Sequence, residues 1–328
     1  ICHLESPDVD GGDAVLKGEI HGLLAIRLAD DDLVQLCGRE LAPVSGLEGA
    51  ANESGLCLGK FVRHQFYFSS CILSAMTKTT LILPDIQWPF HDQLALKKLL
   101  AVAKELQPDA ILQIGDGIDF PTVSRWAKDT ALEYAPTLQK HIDGFKGLLS
   151  ELREVAPKAD ITWLEGNHDL RLKQFIASYA PALSTLRALE VENLFGLDEL
   201  GIQYLKGPLR VGTNTYAVHG HESGGYSSTP SAWDLKLTKR YGSDKNFLFG
   251  HTHQPFIIHR AFGYEGKVSP RFTMNVGSIM DPVQASYVKD GAVSWVMSFA
   301  LLRDDGKRVY PELVTMVDRG FYLNGTKY

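Results

Sequence analysis

The chain has 328 residues, of which 45% are apolar and 22% charged, and a formal net charge of −6. This balance excludes a disordered polymer, and no uninterrupted apolar run approaches the roughly eighteen residues of a membrane span. The length suits about two domains or one large α/β unit.

The composition divides near Met76. Cys2, Cys37, Cys57 and Cys71 all precede it, and residues 1–75 carry 5 Lys+Arg against 11 Asp+Glu, whereas residues 76–328 carry 28 of each. Residues 1–75 have no sustained hydrophobic period. A small extra domain, a targeting segment and translated neighbouring DNA are the three readings of them. The third is preferred, with Met76 as the natural start, because the basic 60–64 stretch and the interrupted apolar run after it make a poor signal peptide. The expected organisation is an uncertain segment 1–75 followed by one domain, 76–328.

From Met76 the pattern becomes regular. Residues 79–83 read as a buried strand. Asp92 is a candidate N-cap for a helix with Leu96, Leu99, Leu100, Ala103 and Leu106 on one face, stopped by Pro108. A second strand is expected at 110–114, largely helical chain over 121–155, and a third strand at 161–164 before Gly166, Asn167, His168, Asp169 and another helical pattern. Such alternation implies right-handed crossovers and a partly parallel sheet. Shorter strands follow at 202–205, 216–218, 247–249, 256–259 and 272–275. The pair 293–302 and 309–314 flanks Asp304-Asp305-Gly306 and reads as a hairpin. Two sheets packed face to face, with helices outside, satisfy this order.

Metal-capable residues cluster at the strand ends. Asp85 and Gln87 follow the first strand, and Gly115, Asp116 and Asp119 the second. Asn167 and His168 follow the third, His219 closes the 216–218 strand, and Gly250-His251-Thr252-His253 closes the next. Ligands of α/β sheets belong beyond the carboxyl ends of strands, where loops converge.

This ordered set resembles the calcineurin-like metallophosphoesterase superfamily: Asp-x-His, Gly-Asp-x-x-Asp, Gly-Asn-His-Asp/Glu, an isolated His-Gly, and Gly-His-x-His. The resemblance implies a four-layer α-β-β-α sandwich with two mixed β-sheets, holding two divalent metals. It makes Asp116 the bridging ligand, assigns Asp85, Gln87 and His253 to the first metal, and assigns Asn167, His219 and His251 to the second. Donors without thiolate suit Mn, Fe or Zn. Two metals clamp a phosphoryl oxygen and make hydroxide from water near neutral pH. The resemblance sets His168 beside the scissile phosphate, as charge stabiliser or general acid, with Asp169 orienting its ring. Asp119 is read as hydrogen-bonded support.

One position departs from the pattern. Gln87 stands where the family has His, and an amide oxygen is a weaker donor than imidazole, so a weakened first site is expected. His91 either compensates or serves as a surface or cap residue. Arg171 meets a phosphate or pairs with a carboxylate, and His221 contacts substrate or is merely exposed beside His219. Trp88, Phe90, Phe120 and Trp126 either stack a nucleobase or belong to the core. The Gly/Ser-rich 222–231 stretch is either a mobile rim or an ordinary loop.

The expected function is metal-dependent hydrolysis of phosphoesters, with diesters preferred slightly over monoesters. The alternative is a catalytically impaired member that binds a nucleotide or a protein. Asp119-Phe120-Pro121 and Glu165 differ from the pattern of protein Ser/Thr phosphatases, and the motifs look more like phosphoesterases of bacteria and their phages. The expected partner is a phosphoester substrate, including nucleotide or nucleic acid, with no membrane. The expected location is the cytoplasm of a bacterial or phage-infected cell. The neutral charge of residues 76–328 gives no overall basic footprint for long nucleic acid.

Overall fold

The computed structural model describes residues 77–224, 229–284 and 294–328. The readings of 1–75 therefore lie outside the described residues, as does part of the 222–231 stretch.

Two mixed sheets form the body. The six-stranded sheet has the order β11-β10-β1-β2-β3-β4. Its strands are β1 (Lys78–Leu83), β2 (Ala110–Gln113), β3 (Asp160–Leu164), β4 (Ile202–Leu205), β10 (Ser298–Asp304) and β11 (Val309–Thr315). The four from β1 to β4 are parallel, while β10 and β11 form the expected antiparallel hairpin on one side. The five-stranded sheet has the order β5-β6-β7-β9-β8, built from β5 (Leu209–Gly212), β6 (Thr215–Ala217), β7 (Asn246–Phe249), β8 (Phe256–Tyr264) and β9 (Lys267–Asn275). A small hairpin, β12 (Tyr322–Leu323) and β13 (Thr326–Lys327), ends the chain.

Strand alternation assigns residues to layers. Leu81, Leu83, Ile111, Phe299 and Leu301 face one core with the helices α1 (Gln93–Leu106) and α2 (Leu138–Val155). Their neighbours Ile82, Leu112, Ala300 and Leu302 face the opposite way and meet Ala217, Leu248, Phe272 and Met274 of the second sheet. Phe247 and Phe249 then point outward to Trp233 and Leu237 of α5 (Pro230–Tyr241). The result is helix, sheet, sheet, helix, as expected. Leu248 is fully buried between the sheets, and truncation of such a side chain to Ala typically costs about 2–5 kcal/mol.

Local signals set the helix ends. Asp92 Oδ1 accepts the Ala95 N–H at 2.9 Å as N-cap of α1, and Gln107 terminates that helix in the left-handed conformation just before Pro108. Two expectations are corrected. The 121–155 stretch is helical only in a short 3-10 turn, Pro121–Val123, and in α2; the intervening chain runs in irregular turns between Pro121 and Pro136. Helix α5 was not foreseen, because its buried face is a narrow stripe of Trp233 and Leu237. Short α3 (Arg171–Tyr179) and α4 (Val191–Phe195) complete the helices among the described residues.

Candidate metal centre

Leu83, Gln113 and Trp163 pair in register, so the carboxyl ends of β1, β2 and β3 stand level. The loops leaving them carry Asp85 and Gln87, Asp116 and Asp119, and Asn167, His168 and Asp169. From the second sheet, the parallel neighbours β6 and β7 deliver His219 and the 250–253 loop. Parallel strands send all five loops to one edge.

The backbone at this edge is strained. Gln87, Asp116, His251 and His253 have φ of 56°, 52°, 68° and 57°. Such left-handed residues cost on the order of 1–3 kcal/mol each and persist only where the surroundings over-determine them. Here the Gln87 N–H donates to Asp116 O at 2.9 Å. Asn275 ties the 250–253 loop, donating to Gly250 O at 2.7 Å and to Thr252 Oγ1 at 2.9 Å. Two glycines allow the close approach. A Cβ on Gly166 would lie 2.1 Å from Asp116 N, and one on Gly250 would lie 2.1 Å from Asp85 Oδ1.

Asp116 is the hub. Its Oδ1 accepts the His168 N–H at 2.8 Å. Its Oδ2 lies 3.2 Å from His219 Nε2, 3.7 Å from His168 Nε2, and accepts Gln87 Nε2 at 3.1 Å. His219 Nδ1 lies 3.1 Å from Ile114 O, which only accepts, so Nδ1 carries the proton and Nε2 is aimed at Asp116 and at Asn167 Oδ1, 3.2 Å away. Asp116, His219 and His251 offer ligand atoms all within 4.8 Å of one another. On the other side, His253 Nε2 lies 3.3 Å from Asp85 Oδ2 and 3.4 Å from Gln87 Nε2, and Asp85 Oδ2 accepts the His251 N–H at 2.8 Å.

Electrostatics favour a cation here. Burial opposes charge on Asp116, but the neighbouring His168 and His219 outweigh it and hold the carboxyl well below the usual range. Burial likewise opposes charge on His219, yet Asp116 and Asp85 push its pKa up to about 10. The position facing Nε2 thus attracts positive charge, whether a proton or a metal. His251 is pushed down to about 3, by burial first and then by His219, which keeps it a neutral donor.

The donor set fits divalent metals. Asp85 Oδ1 is a buried oxygen without a hydrogen-bond partner, which is costly unless a cation or water meets it. Asn167, His219, His251 and Asp116 would hold one ion. Asp85, His253 and Asp116 would hold the other, once the Gln87 amide turns its oxygen inward in place of its NH2.

The remaining expectations resolve by position. The carboxylate at the His168 ring is Asp119, whose Oδ1 accepts from Nδ1. Asp169, expected there, is buried elsewhere: it accepts the N–H groups of Asp116, Ile118 and Gly166 and the Trp163 indole N–H, and so fastens the second motif to the third. Burial, then Asp116, push its pKa up to about 7 against those hydrogen bonds. Arg171 pairs with Asp119 Oδ1 at 2.8 Å and sets Nη2 3.2 Å from His168 Nε2. His91 is buried and stacked on Trp88 at 4.5 Å, while Asp92 takes the cap. His221 is half-buried beside His219, with ring centroids 5.4 Å apart. Trp88 and Phe120 pack inside, against Phe145 and Phe195, whereas Trp126 is exposed.

Two contributors escaped the sequence reading. Trp295 packs edge-on against His253 at 4.3 Å, and Asn275 braces the 250–253 loop from β9. No spacing rule joins either to its partner. An Asn ending a strand two positions before a Gly was the one available signal.

The calcineurin-like phosphoesterase family model matches residues 78–273. The Gene 54 proteins of Mycobacterium phages L5 and D29 are each 32% identical over 252 residues, covering 76% of this chain and 98% of the relative. Among solved structures, Vps29 of Chaetomium thermophilum aligns over 76% of this chain and 97% of its own, with 13% identity and a TM-score of 0.41. The E. coli phosphoesterase Yfce aligns over 98% of its own length, with 15% identity and a TM-score of 0.34. By the family match and the phage relatives together, this chain belongs to the calcineurin-like phosphoesterases, a family of metal-dependent phosphoester hydrolases.

Proposed function

We propose that the protein hydrolyses phosphodiesters, and monoesters less well, at a dinuclear centre. The observation that carries this reading is Asp116 Oδ2, which lies 3.2 Å from His219 Nε2 of one ligand group and 3.1 Å from the Gln87 amide of the other. A carboxylate oxygen so placed suits a bridge between two ions. When bound, the ions supply Lewis acidity towards the phosphoryl oxygens and lower the pKa of water.

The protein's own groups do the rest. Arg171 donates to His168 Nε2, so in the resting site the ring proton is on Nδ1, shared with Asp119. The Asp119 carboxylate orients the ring through Nδ1, and proton transfer to the leaving oxygen would run from Nε2. Arg171 adds a fixed positive charge beside that nitrogen. A phosphoryl group carrying two ester bonds offers a leaving oxygen that gains from such protonation.

Hydrolysis of bis-p-nitrophenyl phosphate and p-nitrophenyl phosphate with Mn²⁺, wild type against Asp116→Asn, tests the reading. Metal-dependent turnover lost in the variant is expected. Absence of turnover on both substrates, and on nucleotides and DNA, favours instead the impaired, ligand-binding reading that Gln87 motivates.

A further inference from the structure

The irregular chain between Pro121 and Pro136 forms one wall of a groove of about 650 Å³, and α3 forms the other. Asn167 and His168 line the same groove, so it opens directly on the candidate centre. Two features of its walls are independent of the metal site. The first is aromatic: Trp126 is 64% exposed and Tyr179 66%, and Phe175 packs against Tyr179 with ring centroids 4.9 Å apart. What marks these rings is their grouping at the mouth of one site, whereas Phe120 and Phe195 of the same chain are buried in the core. The second is charge. Arg125 and Lys128 line the groove against one acid, Glu133, whose Oε2 is already engaged by the Asp129 N–H at 2.7 Å.

These features converge on one ligand chemistry. Arg125 lies over the Trp126 ring at 4.7 Å, which fixes the indole and leaves its other face for a planar partner. Trp126 and His168 line one groove, and a nucleoside phosphodiester is a ligand that offers a flat ring to the first and a phosphate to the second. Aromatic platforms flanked by cations are the way proteins hold single-stranded nucleotides without reading their sequence. The overall neutrality of residues 76–328 is no obstacle, because the positive charge is needed only along this wall.

We propose that this groove binds the nucleoside next to the scissile phosphate, with Trp126 as the stacking platform and Arg125 and Lys128 tracking the adjoining backbone. The proposal rests on the phosphodiesterase reading and narrows its substrate to esters that carry a nucleobase. Helix α3 then serves both tasks, with Arg171 at its start beside the reacting centre and Phe175 and Tyr179 one and two turns further along the groove.

The test compares kcat/KM for thymidylyl-thymidine with that for glycerophosphoethanolamine, which has no ring. Wild type is expected to prefer the dinucleotide. Trp126→Ala should lower that preference by about 5- to 150-fold, chiefly through KM, and Trp126→Phe should restore most of it. Higher kcat/KM on a single-stranded octanucleotide would identify a strand as the source, and equal values a free nucleotide; both outcomes uphold the groove. No preference in wild type, or an equal loss on both diesters in Trp126→Ala, overturns the groove while turnover of bis-p-nitrophenyl phosphate keeps the hydrolase. If no ester is turned over, equilibrium dialysis of the dinucleotide decides. Retention that falls in Trp126→Ala upholds the groove and sinks the hydrolase, and no retention by wild type sinks the groove.

Discussion

The two halves of the candidate centre share Asp116 and differ in how completely they are prepared. In the half made by Asn167, His219 and His251, the Nδ1–H of His219 is spent on Ile114 O, and its Nε2 is already aimed between two oxygens. In the half made by Asp85, Gln87 and His253, Asp85 Oδ1, Gln87 Oε1 and His253 Nδ1 all lack hydrogen-bond partners, and the Gln87 NH2 points at the ligand atoms. The lesson is that a ligand is made by what holds it as much as by its own donor atom. Hydrogen-bond partners fix the tautomer and direction of a ligand, and their loss typically costs 10–100-fold in metal affinity or activity.

The largest test of this contrast removes what the halves share. Asp116→Asn should lose both metals and depress turnover by more than about 10⁴-fold, beyond the about 10²–10⁴-fold attached to a lost general acid. Metal analysis together with diester hydrolysis reads it, and retention of both ions would break the bridge assignment. Next, His168→Ala should lower kcat by about 10²–10⁴-fold with metal content intact. If metals leave in proportion to activity, His168 is a ligand and the division of labour is wrong.

Asp119→Asn separates the two carboxylates of the motifs. It should cost about 10–100-fold in kcat, the range for a group that orients another. An effect on folding alone, with kcat unmoved, would return the orienting role to Asp169. The contrast between the halves is sharpened most directly by Gln87→His. After dialysis the wild type should keep one tightly bound metal and lose the other. The variant should keep two, with the weaker site tightened by about 10–100-fold. Two retained ions in the wild type would mean that the Gln87 amide already presents its oxygen.

A last prediction lies outside both halves, leaves catalysis aside and checks that acid sensitivity does not come from the ligands alone. Burial pushes the His91 pKa down from 6.5 to about 4, against the pull of Asp92. The unfolded chain therefore binds a proton first as pH falls. The stability His91 contributes is full above pH 6.5 and drains between about 6.5 and 4, by on the order of 3 kcal/mol. Urea unfolding across that window should be flatter in His91→Gln than in wild type; parallel curves would contradict the buried neutral ring.

Much of this architecture is legible in the sequence. The strands β1, β2, β3 and β4, the Asp92 cap and the β10–β11 pairing lie where periodicity and turn residues put them, because those signals act over a few neighbouring residues, although β10 runs over Ser298–Asp304 and not 293–302. The convergence of the candidate ligands was legible for a related reason. Each ligand ends a strand, and a parallel sheet sends such ends to one edge whatever the intervening chain does. Helix α5 was missed because one narrow stripe of Trp233 and Leu237 is little to read, and the turns of 121–137 because two prolines inside a polar stretch do not announce where helix resumes.

The sequence by itself thus determined the family, the layered fold and the candidate metal-capable residues, since all three follow from local pattern and order along the chain. Tertiary structure alone decided the partners. It gave His168 to Asp119, 49 positions away, and sent Asp169, its sequence neighbour, to the amides beneath Asp116. It also turned Trp126 outward while burying Phe120. These choices depend on which side chains converge through space, and a buried carboxylate goes to the unpaired N–H groups it can reach, whatever stands beside it in the chain.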